Sequence, residues 1–200
     1  MDTSVPRAGT ADDWALYAKF KDGDLSAFRE LFQKHKTRLI NLSYRFVHRR
    51  EAAEDIAQEV LIKVYEKKVQ ADANAKFSTW LYRVTVNASM DYLRSKRNRS
   101  VSLDEASDYE DGDTTLLDRI ADPASMPPEK ILEAEERQSF VRNAVEGLPE
   151  NLKPCLLLYQ FEEMSYLEIA KILGITEKAV ERRLYHAKQI LREALSKYVQ

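Results

Sequence analysis

Four side chains near the end of the chain carry the chemistry for reading base edges: Lys178, Glu181, Arg182 and Tyr185. At about 100° per residue they point almost opposite the apolar stripe Val180, Leu184, Ala187 and Leu191. A guanidinium such as Arg182 can bind guanine O6 and N7, and a carboxylate such as Glu181 can accept from cytosine N4. Glu181 could instead pair with Lys178 or Tyr185 and only orient them. A second set is Trp80, Tyr82 and Arg83, followed by the basic run Arg94, Lys96, Arg97 and Arg99. Rings that stack on bases beside cations that meet phosphates suit single-stranded nucleic acid. The same residues also fit core and rim aromatics followed by a basic helix end that complements the helix dipole. A third set is Asp55, Glu59, Ile62 and Glu66, on one helical line bordered by Gln58. An aliphatic side chain among acidic and amide groups has the composition of a small protein interface. A solvated face holding one stray isoleucine has it too.

These groups need elements to hold them. Ile169, Ala170, Ile172 and Leu173 give a short helix an apolar side. Gly174 follows, able to take the left-handed backbone of a sharp turn. Ile175 plugs the corner, and Thr176 can cap a second helix. The small residue at Ala170, the glycine four later and Val180 six beyond form a correlated spacing, because a large side chain at 170 would wedge the helices apart. This is a helix-turn-helix pattern whose second helix is packed on one side and polar on the other, as a major-groove reader requires. A plain helical hairpin shares the periodicity. Upstream, a helix beginning near Asp24 carries Leu25, Phe28, Leu31 and Phe32 on one side. Leu39, Leu42, Phe46 and Val47 suggest a second helical face. A third helix over about 51–68 has the core stripe Ala53, Ile56, Val60 and Val64. A fourth starts near Phe77 and turns Phe77, Trp80, Leu81, Val84 and Ala88 inward, while Thr79, Tyr82, Arg83, Val86, Asn87 and Met90 cannot all join that core.

Composition agrees with an all-α protein. The 200 residues are 44% hydrophobic and 32% charged, with only 5 glycines. The single cysteine, Cys155, excludes an internal disulfide and sits in the apolar run 155–159, where a small core residue is expected. The formal net charge of −2 argues against nucleic acid until its distribution is considered. Acidic residues gather at 104–122 and mask basic zones at 94–99 and 178–192. The stretch 100–128 holds Gly112, Pro123, Pro127 and Pro128 and too little apolar surface to offset ordering entropy, so it reads as a flexible acidic linker. The expected organisation is a tail at 1–14, a helical domain at 15–99, the linker at 100–128 and a helix-turn-helix domain at 129–200. Neither a secretion signal nor a membrane-spanning run is visible, so a cytoplasmic location and no membrane insertion are expected. His35, His48 and His186 are scattered, and no phosphate loop or nucleophile motif occurs, so no catalytic residue, metal or cofactor is expected.

Three blocks resemble a known family, the extracytoplasmic-function (ECF) sigma factors of bacterial RNA polymerase. Residues 53–60 (AEDIAQEV) resemble its core-polymerase-binding helix. Residues 76–87 (KFSTWLYRVTVN), running on to Asp91-Tyr-Leu-Arg94, resemble its promoter-melting helix, and 148–191 resemble its −35-reading domain. The resemblance implies an N-terminal region 2-like four-helix domain and a C-terminal region 4-like domain. It implies that Asp55, Gln58, Glu59 and Ile62 face the largest polymerase subunit. It implies that Lys76, Phe77, Thr79, Trp80, Tyr82, Arg83, Asn87 and Arg94 hold single-stranded −10 DNA, with a flipped base met by the loop at 70–76. Asn74 is the choice there, since an amide both donates and accepts. Thr176, Glu177, Lys178, Glu181, Arg182, Arg183 and Tyr185 would then read duplex −35 DNA. Many members carry a basic residue where this chain has Glu181, a small polar one at Arg182 and Arg at His186, which puts the usual −35 preference in doubt. An anti-sigma partner is implied in the same way. A stand-alone DNA-binding regulator is the competing reading, and it would bind operator DNA without polymerase.

Overall fold

In a computed structural model the described residues are 11–66, 69, 75–100 and 139–196, the side chains of 11, 12 and 98–100 excepted. Among them there are helices and no strands. The helices are α1 (Ala11–Lys21), α2 (Leu25–Val47), α3 (Arg50–Tyr65), α4 (Phe77–Ser100), α5 (Lys153–Phe161), α6 (Tyr166–Leu173) and α7 (Glu177–Ser196). A further helical stretch runs over 139–146. The chain divides into two compact units, one centred on α1–α4 and one on the helices beyond the acidic region. The expected linker lies almost wholly outside the described residues.

In the first unit, α2 is one continuous helix of 23 residues, where two apolar faces suggested two helices. No glycine or proline interrupts Leu25–Val47, so nothing forces a break. The Asp24 carboxylate starts it by accepting from the backbone N–H of Ser26 (2.9 Å) and Ala27 (3.4 Å). Its buried stripe runs Ala27, Leu31, His35, Leu39, Leu42 and Phe46. Leu25, expected inside, is 62% exposed, because it lies two residues, about 200°, before Ala27, where the buried stripe begins, and so points away from it. On α3, Ala53, Ile56, Val60 and Val64 are all buried as the periodicity predicts.

The fourth helix of this unit is α1, which begins inside the stretch expected to be a tail. Its residues Leu16, Tyr17 and Phe20 join Leu31, Val60, Val64, Phe77 and Leu81 in one apolar cluster. Asp13 is fully buried on α1. Its carboxylate accepts from Lys34 Nζ at 2.5 Å and from His35 Nε2 at 3.2 Å, both on α2. Buried charge is tolerated only when paired, and here it is paired twice. Packing against α1, α2 and α3 encloses α4 on several sides. Its buried arc therefore includes Thr85 and Ser89, wider than a single apolar stripe.

In the second unit, Leu148, Leu152, Leu156 and Ala187 form a small core, with Val145 and Leu191 against it. Cys155 is buried, as its apolar run predicts. Burial pushes its thiol pKa up, opposed by the positive charge and hydrogen bond of Arg183.

Candidate functional site

On α3 the acidic line is an open face. Asp55, Gln58 and Glu59 are exposed, and Ile62 is 46% exposed. The helix buries Ala53, Ile56 and Val60, so these four side chains are left on its outer side. Glu59 pairs with Lys63 one turn on at 2.7 Å, an exposed i,i+4 pair that costs little to exchange for a partner's cation. A groove of about 530 Å³ runs between α3 and α4. Asp55 and Glu59 line one wall, and Asn87, Asp91, Tyr92 and Ser95 line the other. Residues assigned from sequence to two separate tasks, Asp55 and Glu59 on one hand and Asn87 on the other, therefore meet in one groove.

The remaining residues proposed on and before α4 separate into exposed and buried sets. Lys76, Arg83, Asn87 and Arg94 are exposed, and Trp80 is half-buried against the core. Arg94 pairs with Asp91 at 3.2 Å. Phe77 is 1% exposed and belongs to the core rather than to a nucleic-acid face. The rings of Trp14, Tyr17 and His35 lie 5.2, 5.5 and 6.0 Å from it. Thr79 and Tyr82 are also buried. Asn74 and most of its loop lie outside the described residues.

Sequence reasoning missed what secures the start of α4. Trp14 on α1 donates its indole N–H to the Ala75 carbonyl at 2.8 Å, two residues before the helix begins. One turn along α1, the buried Tyr17 hydroxyl reaches the backbone of Val69 without forming a well-aligned hydrogen bond. A contact spanning 61 residues leaves no local signal.

The C-terminal helix pair matches its sequence pattern closely. Ser165 and Glu168 start α6 with reciprocal bonds: the Glu168 N–H donates to Ser165 Oγ, and the Ser165 N–H donates to Glu168 Oε2. Gly174 ends it with φ +66°. The Ile175 N–H then reaches back to the Ala170 carbonyl at 3.1 Å, a bond that only a left-handed residue at 174 allows. Thr176 Oγ1 accepts from the Ala179 N–H at 3.2 Å and caps α7. With Val180, Leu184 and Ala187 buried, α7 exposes Glu177, Lys178, Glu181, Arg182 and Tyr185. Arg183 is the exception in that group: it is half-buried and turned to the Cys155 thiol. Tyr185 accepts from Gln189 Nε2 at 2.7 Å. A groove of about 700 Å³ along this face is lined by Tyr166, Thr176, Lys178, Arg182, Tyr185 and Lys188. Lys188 sits 4.8 Å from the centre of the Tyr159 ring, which neighbours Tyr166 at 5.6 Å. That aromatic and basic corner escaped the sequence pattern because Tyr159 and Tyr166 lie on different helices.

A helix-turn-helix with an exposed polar face, in one chain with a helical unit that carries an exposed acidic face, defines an all-α class of chain in which nucleic-acid binders are common. The known proteins it resembles narrow that class. The Sigma-70 region 2 family matches residues 31–99, and Sigma-70 region 4 matches 141–191. The ECF RNA polymerase sigma factor SigW of Bacillus subtilis is 32% identical over 175 residues, covering 88% of this chain and 92% of that relative. Two solved structures share the fold. One is CnrH with the cytosolic domain of CnrY (TM-score 0.63, 21% identity, 93% and 98% coverage). The other is the sigma factor RpoE with the anti-sigma factor NepR from Bartonella quintana (TM-score 0.57, 17% identity, 86% and 98% coverage). The chain belongs to the ECF family of RNA polymerase sigma factors, the promoter-recognition factors of transcription initiation.

Proposed function

We propose that the two units divide promoter recognition between them, with no catalytic chemistry of their own. The N-terminal domain, expected at 15–99 and extended here by α1, docks on core polymerase through Asp55, Gln58, Glu59 and Ile62. The outer side of α4, with Lys76, Trp80, Arg83, Asn87 and Arg94, holds the opened −10 strand. The C-terminal domain sets α7 in the −35 major groove, where Lys178, Glu181, Arg182 and Tyr185 meet bases. Glu177 and Arg183 flank that surface, and Thr176 holds its first turn. The linker between the domains lets polymerase set their spacing, which raises the effective concentration of the second contact. The protein acts in the cytoplasm. An anti-sigma factor, the kind of partner bound to the Bartonella quintana sigma factor, holds it inactive by covering these same faces.

The observation that supports this reading is the division on α3 and α7: each buries a regular apolar stripe and leaves exposed most of the residues proposed here for binding, Arg183 being the half-buried exception. Transcription reconstituted with core polymerase and a promoter library tests it. Reversing Asp55 and Glu59 to Lys should abolish association with polymerase while helical content is kept. Arg182→Ala should weaken −35 recognition by about 1–3 kcal/mol, the value of one good base contact. Unchanged polymerase binding in the first variant removes the α3 interface, and unchanged promoter choice in the second removes the proposed orientation of α7. A stand-alone regulator would instead shift duplex DNA with no polymerase present.

A further inference from the structure

The first thirty residues lie ahead of the Sigma-70 region 2 match, which begins at residue 31. Yet α1 touches both described flanks of the segment 70–74. Tyr17 reaches the Val69 backbone, and Trp14 bonds the Ala75 carbonyl at 2.8 Å. The indole also stands edge-on to Phe77, with ring centres 5.2 Å apart at 87°. Trp14 is itself held from behind, because its chain neighbour Asp13 is fully buried between Lys34 and His35 of α2. Support thus passes from α2 to Asp13, from Asp13 along the chain to Trp14, and from Trp14 to Ala75, two residues before α4. The ring alone would fill the space beside Phe77. The N–H does something further: it fixes the direction of one peptide group at the point where the chain turns into the helix.

We infer that Trp14 is a positioning residue for −10 recognition. Its indole N–H on the Ala75 carbonyl sets where α4 begins and so places Lys76, Trp80 and Asn87 against the opened strand. This rests on the −10 role proposed above for α4. Trp14 touches no DNA, and its effect is on choice among −10 sequences rather than on docking to polymerase.

The test compares transcription from a native promoter and from promoters with single −10 substitutions, using holoenzyme assembled from the full chain and core polymerase. Trp14→Phe keeps a ring and loses the donor. A benzothienyl-alanine at position 14 keeps the bicyclic shape and replaces only the N–H, and it decides the matter if Trp14→Phe folds poorly. Losing this one hydrogen bond should reduce −10 discrimination about fivefold, with polymerase affinity and −35 dependence held within about twofold. Asn87→Ala is run alongside. If Asn87→Ala alters −10 choice while the Trp14 variants keep the native ratio, the inference is overturned and the −10 reading of α4 survives. A loss of thermal stability with an unchanged ratio also overturns it, since Trp14 would then serve the fold alone. If neither substitution changes −10 choice, both the reading of α4 and the inference fall.

Discussion

The two units reach order by different routes. The α1–α4 unit uses length and rings. Its helices α2 and α4 run 23 and 24 residues, and Phe46 and Phe77 are among its largest fully buried side chains. In the C-terminal unit α5 and α6 have only 9 and 8 residues. Helices that short are marginal by themselves, and a large share of their backbone groups lies in unsatisfied end turns. The second unit answers with explicit end chemistry: the Ser165–Glu168 box, the left-handed Gly174 and the Thr176 cap. Interior packing therefore decides the first unit, and helix ends carry more weight in the second.

Core truncation should sharpen that contrast most. Phe46→Ala removes a large, fully buried ring and should cost about 3–5 kcal/mol. Leu184→Ala deletes less volume from the smaller unit and should cost about 2–4 kcal/mol. Denaturant unfolding monitored by circular dichroism measures both. A smaller loss at Phe46 than at Leu184 would break the proposed difference.

Next in size is the buried ion cluster of the first unit. Burial by itself pushes the Asp13 carboxyl up, but the hydrogen bonds and charges of His35 and Lys34 outweigh it and hold its pKa below the ordinary value. The folded pKa then lies below the unfolded one, near 4. The stabilisation is complete above that unfolded value and is lost as pH falls through the lower folded one. Asp13→Asn should cost about 3 kcal/mol at neutral pH, because it takes the carboxylate away from the buried His35 and the half-buried Lys34. The gap between variant and native protein should close as the solution is acidified below about pH 4. A gap that stays constant between neutral and acid pH would show that the carboxylate charge is not what ties α1 down.

The same contrast explains what could be read from the chain. The C-terminal helix pair was legible because its signals are local. Gly174, Thr176 and the spacing of Val180, Leu184 and Ala187 each act within a few residues, and the Ser165-x-x-Glu168 signature could have placed the start of α6 as well. The stripe of α3 was legible for the same reason. Among the described residues, the features that escaped depend on partners distant in sequence. Asp13 reads as a tail residue until Lys34 and His35 surround it. Trp14 shows no purpose until Ala75 is beside it. On α4, a helix packed against three others has no single apolar stripe, so Phe77 could be assigned both to the core and to DNA, and only the core claims it.

The smallest effect separates stability from function. Thr176→Ala removes the side-chain acceptor for the Ala179 N–H, leaving it the Thr176 carbonyl at 2.9 Å, and should cost about 1 kcal/mol. The turn that frays carries Glu177 and Lys178, so −35 affinity should fall with it, and Thr176→Ser should restore both. Asp24 makes the matching cap on α2, but its first turn carries the exposed Leu25 and no residue proposed to touch DNA or polymerase. Asp24→Ala should therefore lower stability and leave promoter choice unchanged. Footprinting of the −35 element with reconstituted holoenzyme distinguishes the two caps. If Thr176→Ala destabilises the fold yet protects the −35 element as well as native protein does, then DNA itself orders that turn, and the cap serves the free protein only.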